Sequence, residues 1–442
     1  MNWLTATATQ QGEAIMNGVL DPVDQTEAYL EAARHHPYGE RIYARLTPER
    51  ARAEAIAAHD RARAGLRRGL LDGVALSWKD NVDSAGVATE AGSRLLEGRV
   101  PARDGEILAR ATAAGLVCLG KTHMTELAFS GLGVNPATAS PPNAYDPALA
   151  SGGSSGGAAV SVALGLCAAA IGSDTGGSIR LPAAWNGVVG FKPTVGVVPV
   201  EGVLPLCPRF DAPGPLARSV EDCAELLAVL TGEKAVDLRG AEARGLRLMV
   251  LEGLPFEGAR AAPVAAFEDA VARLARAGAV ITHAGPEAAR EALRDGTPLY
   301  AAEAWGLWRA QIEAAPEVMH GPTYRRFAAG AEMSAAEYVE LGAALERHQA
   351  DWAEAVAGYD AVILPTCPIT PPEIARALED EDYFATENLL TLRNTRIGNV
   401  LGLPAVSLPT GHPACGIMAM GAAGGDRALL RVAAAMEAAL AG

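Results

Sequence analysis

One lysine and two serines of this 442-residue chain lie in segments that favour chemistry. Lys79 belongs to LDGVALSWKDNVD, Ser154 belongs to SGGSSGG, and Ser178 ends GSDTGGS. A serine hydroxyl is a weak nucleophile until a base accepts its proton, and a lysine can be that base only if it is neutral near pH 7. Lowering a lysine pKa from about 10.4 to about 7 requires roughly 4 kcal/mol, which burial can supply. The three residues therefore predict a catalytic site.

The glycines around both serines indicate that something approaches the backbone closely. Holding residues 152–157 in one conformation costs backbone entropy, so a fold keeps such a run where other residues would clash. In residues 174–178, two glycines precede the serine and let successive N–H groups point into one concavity, which suits a developing oxyanion. A Gly/Ser run can also be a flexible linker. The apolar helical pattern that begins at Ala158 argues against a linker here.

Two other motif matches are weaker. Residues 152–156 also fit G-x-S-x-G, the nucleophile elbow of α/β-hydrolases, which needs a preceding strand. Residues 141–147, PPNAYDP, are poor strand material. Residues 174–176 match the Asp-Thr-Gly of aspartic proteases, whose chemistry needs a second carboxylate, and no second such motif occurs. Both alternatives are therefore disfavoured.

The elements that must position these residues have an α/β pattern. Residues 1–70 are predicted to form helices, with a helix start at Thr47 and Pro48. From residue 74 onward, short apolar runs alternate with helical patterns, which predicts βαβ units and a largely parallel sheet. The Gly-, Asn- and Pro-rich residues 131–146 are expected to form a surface loop beside the site. The predicted strands are 74–78, 116–119, 167–171 and 246–251, and the predicted helices are 106–114, 155–164 and 263–277.

The order of these motifs resembles that of the amidase signature family. The similarity covers GVALSWKDN, KTHMTELAF, GGSSGG and GSDTGGSIRLPAAWNGVVGFKPT, together with the spacing between Ser154 and Ser178. It continues in GPLARSVEDC, YDAVILPTCPITPP and IGNVLGLPAVSLPTG, and it is thin over residues 232–359. The resemblance implies an amidase signature fold, with a large mixed, mostly parallel sheet sandwiched between helices and an N-terminal helical layer.

The same resemblance implies one domain over residues 1–442. Its parts are a helical N-terminal segment (1–70), the catalytic core motifs (71–223), a variable region (232–359) and a C-terminal segment that completes the sheet (360–442). A separate domain for the variable region is the alternative.

The resemblance also implies a role for each residue of the motifs. Ser178 corresponds to the nucleophile that forms an acyl-enzyme. Ser154 corresponds to a bridging serine, preceded by a cis peptide bond, that passes a proton between Ser178 and the terminal base Lys79. The oxyanion hole corresponds to the N–H groups of Thr175, Gly176, Gly177 and Ser178. Phe129, Phe210 and Trp305 are candidate pocket-wall residues, and Phe129 is the one assigned to substrate binding.

Three functions are consistent with these residues. The expected function is an amidohydrolase that cleaves the C–N bond of a small-molecule carboxamide without a metal or organic cofactor. The second is the A-type, ammonia-generating subunit of a complex like glutamyl-tRNA amidotransferase. The third, of another class, is a catalytically inactive protein that binds a carboxylate or an amide in the glycine cradle.

Composition limits the partners and the compartment. A net charge of −15 disfavours nucleic acid and anionic membranes. The six cysteines show no C-x-x-C pair, which predicts free thiols in a reducing compartment. The eight histidines have no metal-ligand spacing. The absence of a signal-peptide pattern and of a long apolar run predicts a cytoplasmic protein. Ala-rich helical surfaces make a homodimer an additional expectation.

Overall fold

A computed structural model describes residues 2–441, and within them eleven strands form one sheet flanked by fifteen α-helices. The strands are β1 (Tyr43–Leu46), β2 (Ala75–Lys79), β3 (Val117–Thr122), β4 (Ala169–Asp174), β5 (Val189–Lys192), β6 (Ala212–Ala217), β7 (Arg247–Leu251), β8 (Val280–Ala284), β9 (Ala361–Pro365), β10 (Ala405–Pro409) and β11 (Gly416–Met420). The helices are α1 (Ala8–Met16), α2 (Pro22–His35), α3 (Gly39–Ile42), α4 (Pro48–Arg63), α5 (Glu106–Ala113), α6 (Gly156–Ala163), α7 (Arg180–Asn186), α8 (Val220–Thr231), α9 (Ala261–Arg276), α10 (Ala288–Ala314), α11 (Gly321–Ala328), α12 (Ala335–Val356), α13 (Ile374–Glu379), α14 (Glu381–Val400) and α15 (Asp426–Ala441).

The sheet is mixed, as expected, in the order β1-β3-β2-β4-β6-β5-β10-β11-β9-β7-β8. Parallel pairing is confined to two groups, β3-β2-β4 and β9-β7-β8, and the other neighbouring strands are antiparallel. The alternating strand and helix patterns predict only the parallel groups. In the antiparallel centre, residues 410–415 form a short connection that returns the chain from β10 directly to the neighbouring strand β11, whereas the other central pairs join strands that lie further apart in the sequence. Strands β7 and β8 of the variable region complete one end of the same sheet.

The N-terminal segment is mainly helical, but the expectation that residues 1–70 form only helices is wrong at β1. This four-residue strand pairs antiparallel with β3 at the edge of the sheet. The hydroxyl of Tyr43 also donates to the Leu166 carbonyl at 2.9 Å. Such a short strand has no recognisable period, so its conformation depends on pairing with β3. The predicted helix start is confirmed, because α4 begins at Pro48, where proline suits the first helical position.

The parallel group β3-β2-β4 places the carboxyl ends of strands β2 and β4 side by side. All five residues of β2 are buried, because helices cover both faces of the sheet. In the register of β2 and β4, Trp78 lies opposite Ile171. The carboxyl ends of parallel strands meet at one edge of a sheet, where sites commonly form. Lys79 at the end of β2 and the residues that follow Asp174 therefore share that edge.

Residues 131–146 differ from the expected surface loop, because much of the segment is buried. Residues 131–135 and 141–143 are buried, and only 136–140 and 144–146 reach the surface. The buried part supports the glycine-rich segment: the Gly152 N–H donates to the Leu132 carbonyl at 3.1 Å, and the Gly153 N–H donates to the Gly131 carbonyl at 2.7 Å. These polar backbone groups are paired within the protein, so the loop can lie inside.

Within the described residues, all six cysteines are free and buried, as expected. In that same part of the chain, no helix combines the length and the apolar character needed to cross a bilayer.

Glycine at position 157 lets α6 pack directly against the backbone. A Cβ there would lie 2.6 Å from the carbonyl oxygens of both His123 and Ile42. We expect Gly157→Ala to lower the free energy of unfolding by about 1–3 kcal/mol or more, because the backbone must move. In the exposed Gly306 of α10, a Cβ would meet no atom within 4 Å. Gly306→Ala is the matched control and should raise that free energy by about 1 kcal/mol or less. Chemical denaturation measures both, and equal effects would contradict this account of the packing.

Candidate active site

Lys79 is completely buried, and its amine has three oxygen partners. Nζ lies 2.7 Å from Ser154 Oγ, 2.9 Å from Ser173 Oγ and 3.1 Å from the Ser173 carbonyl oxygen. The Ser173 hydroxyl is also an acceptor for the Asn81 amide at 3.0 Å. A neutral amine has two N–H donors and one lone pair. Two donors to Ser173 leave the lone pair for the Ser154 hydroxyl proton, so three contacts satisfy the neutral form.

The surroundings of Lys79 also favour the neutral amine. Burial lowers its pKa to about 7, although the charges of Asp174 and Asp211 act in the opposite direction. Neither carboxylate forms an ion pair with the amine among the described residues, so desolvation outweighs the attraction. Near neutral pH, part of the Lys79 population is therefore uncharged, which a role as a base requires.

Ser154 precedes Ser155, the N-cap residue of helix α6, and the Gly153–Ser154 peptide bond is cis. Its hydroxyl is buried and contacts Lys79. The Ser155 hydroxyl donates to the Ser173 carbonyl at 3.2 Å, which ties the start of α6 to strand β4. The segment that carries Ser154 is thus attached to the strand that also contacts Lys79.

Ser178 lies in the loop between β4 and α7, close to the Ser154 segment. The Ser155 N–H donates to the Ser178 carbonyl at 3.2 Å. The Ser178 residue is 4% exposed, and it borders a small recess together with Thr175, Gly176 and Phe129. Among the hydrogen bonds of residues 2–441, none joins the hydroxyls of Ser154 and Ser178. Direct proton transfer between these two serines therefore remains a prediction.

A buried ion pair fixes the loop that carries Ser178. Asp174 and Arg180 are both inaccessible to solvent, and Arg180 donates to the carboxylate through Nε at 3.0 Å and Nη2 at 2.9 Å. The Asn399 amide of α14 also donates to this carboxylate, at 2.9 Å. Burial alone would raise the pKa of Asp174, but the charge and hydrogen bonds of Arg180 hold it well below its usual range.

Gly177 also helps to fix the loop that carries Ser178. Its N–H donates to Asp174 Oδ1 at 2.8 Å, so this N–H is already occupied, unlike the expectation that all four would face an anion. Its φ is +131°, and a Cβ would lie 2.0 Å from Thr395 Oγ1 of α14. Only glycine fits here. No hydrogen bond among the described residues uses the N–H groups of Thr175, Gly176 and Ser178.

The recess at Ser178 shares a wall with a larger pocket of about 370 Å³. Phe129 belongs to both, which agrees with its assignment as a pocket-wall residue. Phe210 is buried behind the wall, with its ring 4.6 Å from that of Tyr300, and Trp305 packs against the core; neither borders these cavities. In the described part of the chain, no cluster of His, Cys, Asp and Glu has an arrangement that could hold a metal ion.

Sequence reasoning missed several residues that build the site. Ser173 lies in the GSDTGGS motif next to the assigned residues, and Asn81 lies in the KDN motif, so their motifs were the available signal. Tyr300, Arg326 and Arg396 also border the cavities. Nothing in the sequence marked these three, because they lie on helices α10, α11 and α14, more than 100 residues after Ser178.

The chain is similar to known proteins over most of its length. The sequence model of the Amidase family matches residues 24–430. The chain is 34% identical to a 2-amino-5-chloromuconic acid deaminase of Comamonas testosteroni, over 92% of this chain and 90% of the relative. It is also 34% identical to the A-type subunit of a glutamyl-tRNA(Gln) amidotransferase from Anaeromyxobacter sp. (strain K), over 89% of this chain and 87% of the relative. A crystal structure of an amidase superimposes with a TM-score of 0.87 and 31% identity, over 98% and 99% of the two chains.

The Asp174–Arg180 pair gives a stability prediction. Asp174→Asn leaves the buried guanidinium of Arg180 without its counter-charge, so we expect a loss of about 3–5 kcal/mol in the free energy of unfolding. The exposed pair of Asp237 and Arg239 offers the control, because solvent screens it. Asp237→Asn should leave stability unchanged. Urea denaturation of both variants tests the prediction, and a stable Asp174→Asn protein would show that the pair is dispensable.

Proposed function

The chain belongs to the amidase signature family and is an amidase, and from this premise we propose that it cleaves a small carboxamide through an acyl-enzyme on Ser178. The observation that carries the proposal is the buried 2.7 Å contact between Lys79 Nζ and Ser154 Oγ. An amine whose pKa is lowered to about 7 by burial can accept a hydroxyl proton at that distance.

The first half of the proposed reaction forms the acyl-enzyme. Ser178 Oγ attacks the amide carbonyl carbon while its proton passes to Ser154, whose own proton passes to Lys79. The tetrahedral intermediate then expels ammonia or an amine, which takes a proton back through the same serine from the lysine ammonium. The C–N bond breaks, and an ester to Ser178 remains.

The oxyanion of that intermediate needs hydrogen-bond donors. We assign this role to the N–H groups of Thr175, Gly176 and Ser178, which have no other acceptor among the described residues. Gly177 instead contributes its conformation and its bond to Asp174. The Thr175 hydroxyl donates to Asp211 at 2.5 Å, which fixes the first residue of the turn. Donors held in this way need no reorganisation when the charge develops.

The second half of the reaction releases the acid. Water attacks the ester carbonyl, and the neutral Lys79 amine takes its proton through Ser154, as in the first half. Ser178 Oγ leaves and recovers a proton along the same path. Over the whole cycle the amide and one water give a carboxylic acid and ammonia or an amine, and the Ser178 hydroxyl is regenerated, so the reaction needs no oxidant or reductant.

Removal of the nucleophile gives the direct test. Ser178→Ala should lower kcat by at least about 10³-fold, because no group replaces the attacking oxygen. A fluorophosphonate probe should label the native chain at Ser178, as mapped by mass spectrometry, and should not label the variant. Ser140→Ala, in the partly exposed loop, is the control and should keep both properties. Full activity of Ser178→Ala would exclude the proposal, and failure of labelling would favour the inactive binding protein.

The pKa of Lys79 predicts the pH dependence. Below pH 7 the amine is protonated and cannot accept a proton, so kcat/KM should rise through about pH 7 and level off above it. Burial also lowers the pKa of Lys192 to about 7, and this amine donates to the Pro193 carbonyl. Lys192→Met is therefore the matched control, in which the rise should persist. A rise that disappears in Lys192→Met, or a flat profile between pH 6 and 8, would refute the role of Lys79.

A second candidate function is ammonia generation within a complex. The 34% identity to the A-type component of a glutamyl-tRNA(Gln) amidotransferase supports it. The purified chain alone separates the two: a stand-alone enzyme hydrolyses simple amides without additions, whereas a component of a complex becomes active only with its partner. The free buried thiols support a reducing, cytoplasmic setting for either function.

A further inference from the structure

Two arginines without partners face the cavities beside Ser178. Arg396 of α14 and Arg326 of α11 both border the recess at Ser178 and the larger pocket. Arg396 is 6% exposed, and its Nε is buried without an acceptor. Within residues 2–441, neither guanidinium has a hydrogen bond or an ion pair with a protein group. Each instead lies over an aromatic ring, Arg396 over Tyr300 at 5.4 Å and Arg326 over Phe129 at 4.5 Å.

No protein anion balances these two charges. None of the described residues that border the two cavities is an aspartate or a glutamate. Burial, together with the charge of Arg396, lowers the pKa of Arg326 to about 9. Burial also lowers the pKa of Arg396. A guanidinium has five N–H donors and no acceptor. Two guanidinium groups without protein partners therefore favour the binding of an anion between or beside them.

Neutral donors point to the same conclusion. Asn388 Oδ1 accepts from the Gly131 N–H at 2.7 Å and from the Ser130 hydroxyl at 3.0 Å, which leaves its buried Nδ2 without an acceptor. The Tyr300 hydroxyl is likewise buried and has no partner, and burial raises its pKa well above the usual value, so it keeps its proton. A buried donor without a partner is costly, and a bound acceptor removes that cost.

The anion site adjoins the reacting position. A Cβ at Gly176 would lie 3.5 Å from Arg396 Nε and 3.8 Å from Tyr300 Cε1. The N–H of Gly176 is one of the donors assigned to the oxyanion. A substrate whose carbonyl binds there would therefore place a carboxylate on Arg396 only if a short spacer joins the two groups.

We propose that the substrate is a monoamide of a short dicarboxylic acid, whose free carboxylate binds Arg396 and Arg326 while its amide carbonyl faces Ser178. The inference rests on the proposed function and specifies its substrate class. Because no carboxylate borders the cavities, an α-ammonium group would have no partner there, so an amide with an ammonium beside its carboxylate is disfavoured.

Binding to the inert Ser178→Ala protein tests the substrate class without turnover. By isothermal titration calorimetry, succinamate should bind roughly 10- to 100-fold more tightly than butyramide, which has the same length and no charge. Glutaramate should bind more tightly than glutamine, which differs from it by the α-amino group. Equal affinities within either pair would overturn the proposal.

Variants of Arg396 and Arg326 test whether these residues cause the preference for a carboxylate. On the same Ser178→Ala background, Arg396→Met should remove most of the preference for succinamate over butyramide, and Arg326→Met should weaken it. Arg294→Gln, at an exposed position of α10, removes a positive charge that borders neither cavity and should leave the preference intact. Circular dichroism checks each fold, and Arg326→Met stands in if Arg396→Met unfolds. A preference that survives in both folded methionine variants would refute the assignment.

The two failures are distinguishable. Wild-type protein that hydrolyses butyramide and succinamate equally well, with Ser178 labelled by the fluorophosphonate, would retain the amidase function and reject the carboxylate site. Wild-type protein that binds succinamate selectively but is neither labelled nor active would reject the acyl-enzyme and leave the anion site established.

Discussion

The site depends on a lysine amine that is buried without an ion-pair partner. Asp174 and Asp211 are near enough to affect its pKa, but each is bound to other donors, Asp174 to Arg180 and Asp211 to Thr175. If either carboxylate bonded directly to the amine, the ammonium would be stabilised and could not act as a base. Both carboxylates are therefore hydrogen-bonded to other groups, and within the described residues the Lys79 amine contacts only oxygens of Ser173 and Ser154.

The scaffold around that amine comes from distant parts of the chain. Strand β2 supplies Lys79, strand β4 supplies Ser173, and the turn before α6 supplies Ser154. Helix α14 then holds the turn after β4, because the Thr395 hydroxyl donates to the Gly176 carbonyl at 2.7 Å. The next residue on this helix is Arg396. The same helix thus supports the turn that carries Ser178, the proposed nucleophile, and places a positive charge beside that turn.

Several elements were predictable because their patterns are local. The helix predicted at 106–114 is observed as α5, and the strand predicted at 74–78 is observed as β2, one residue later at each end. The strand β1 was not predictable, because four residues at a sheet edge carry no period. The buried loop at residues 131–135 was also missed. Its composition favours solvent, and the backbone partners that allow burial are contributed by the distant glycine-rich segment.

For this protein, the amino-acid order alone determined which motifs are candidates for the chemistry: an isolated lysine at a strand end, two serines among glycines and no alternative base nearby. These signals are local, because backbone freedom and side-chain type belong to individual residues. Only the tertiary structure decided the charge state and the pocket. The pKa of Lys79 depends on how completely water is excluded from its amine. Over residues 2–441, Arg326 and Arg396 lack ion-pair partners because the fold brings no carboxylate to the cavities that they border. Both are properties of through-space packing between segments, and one-dimensional spacing does not encode them.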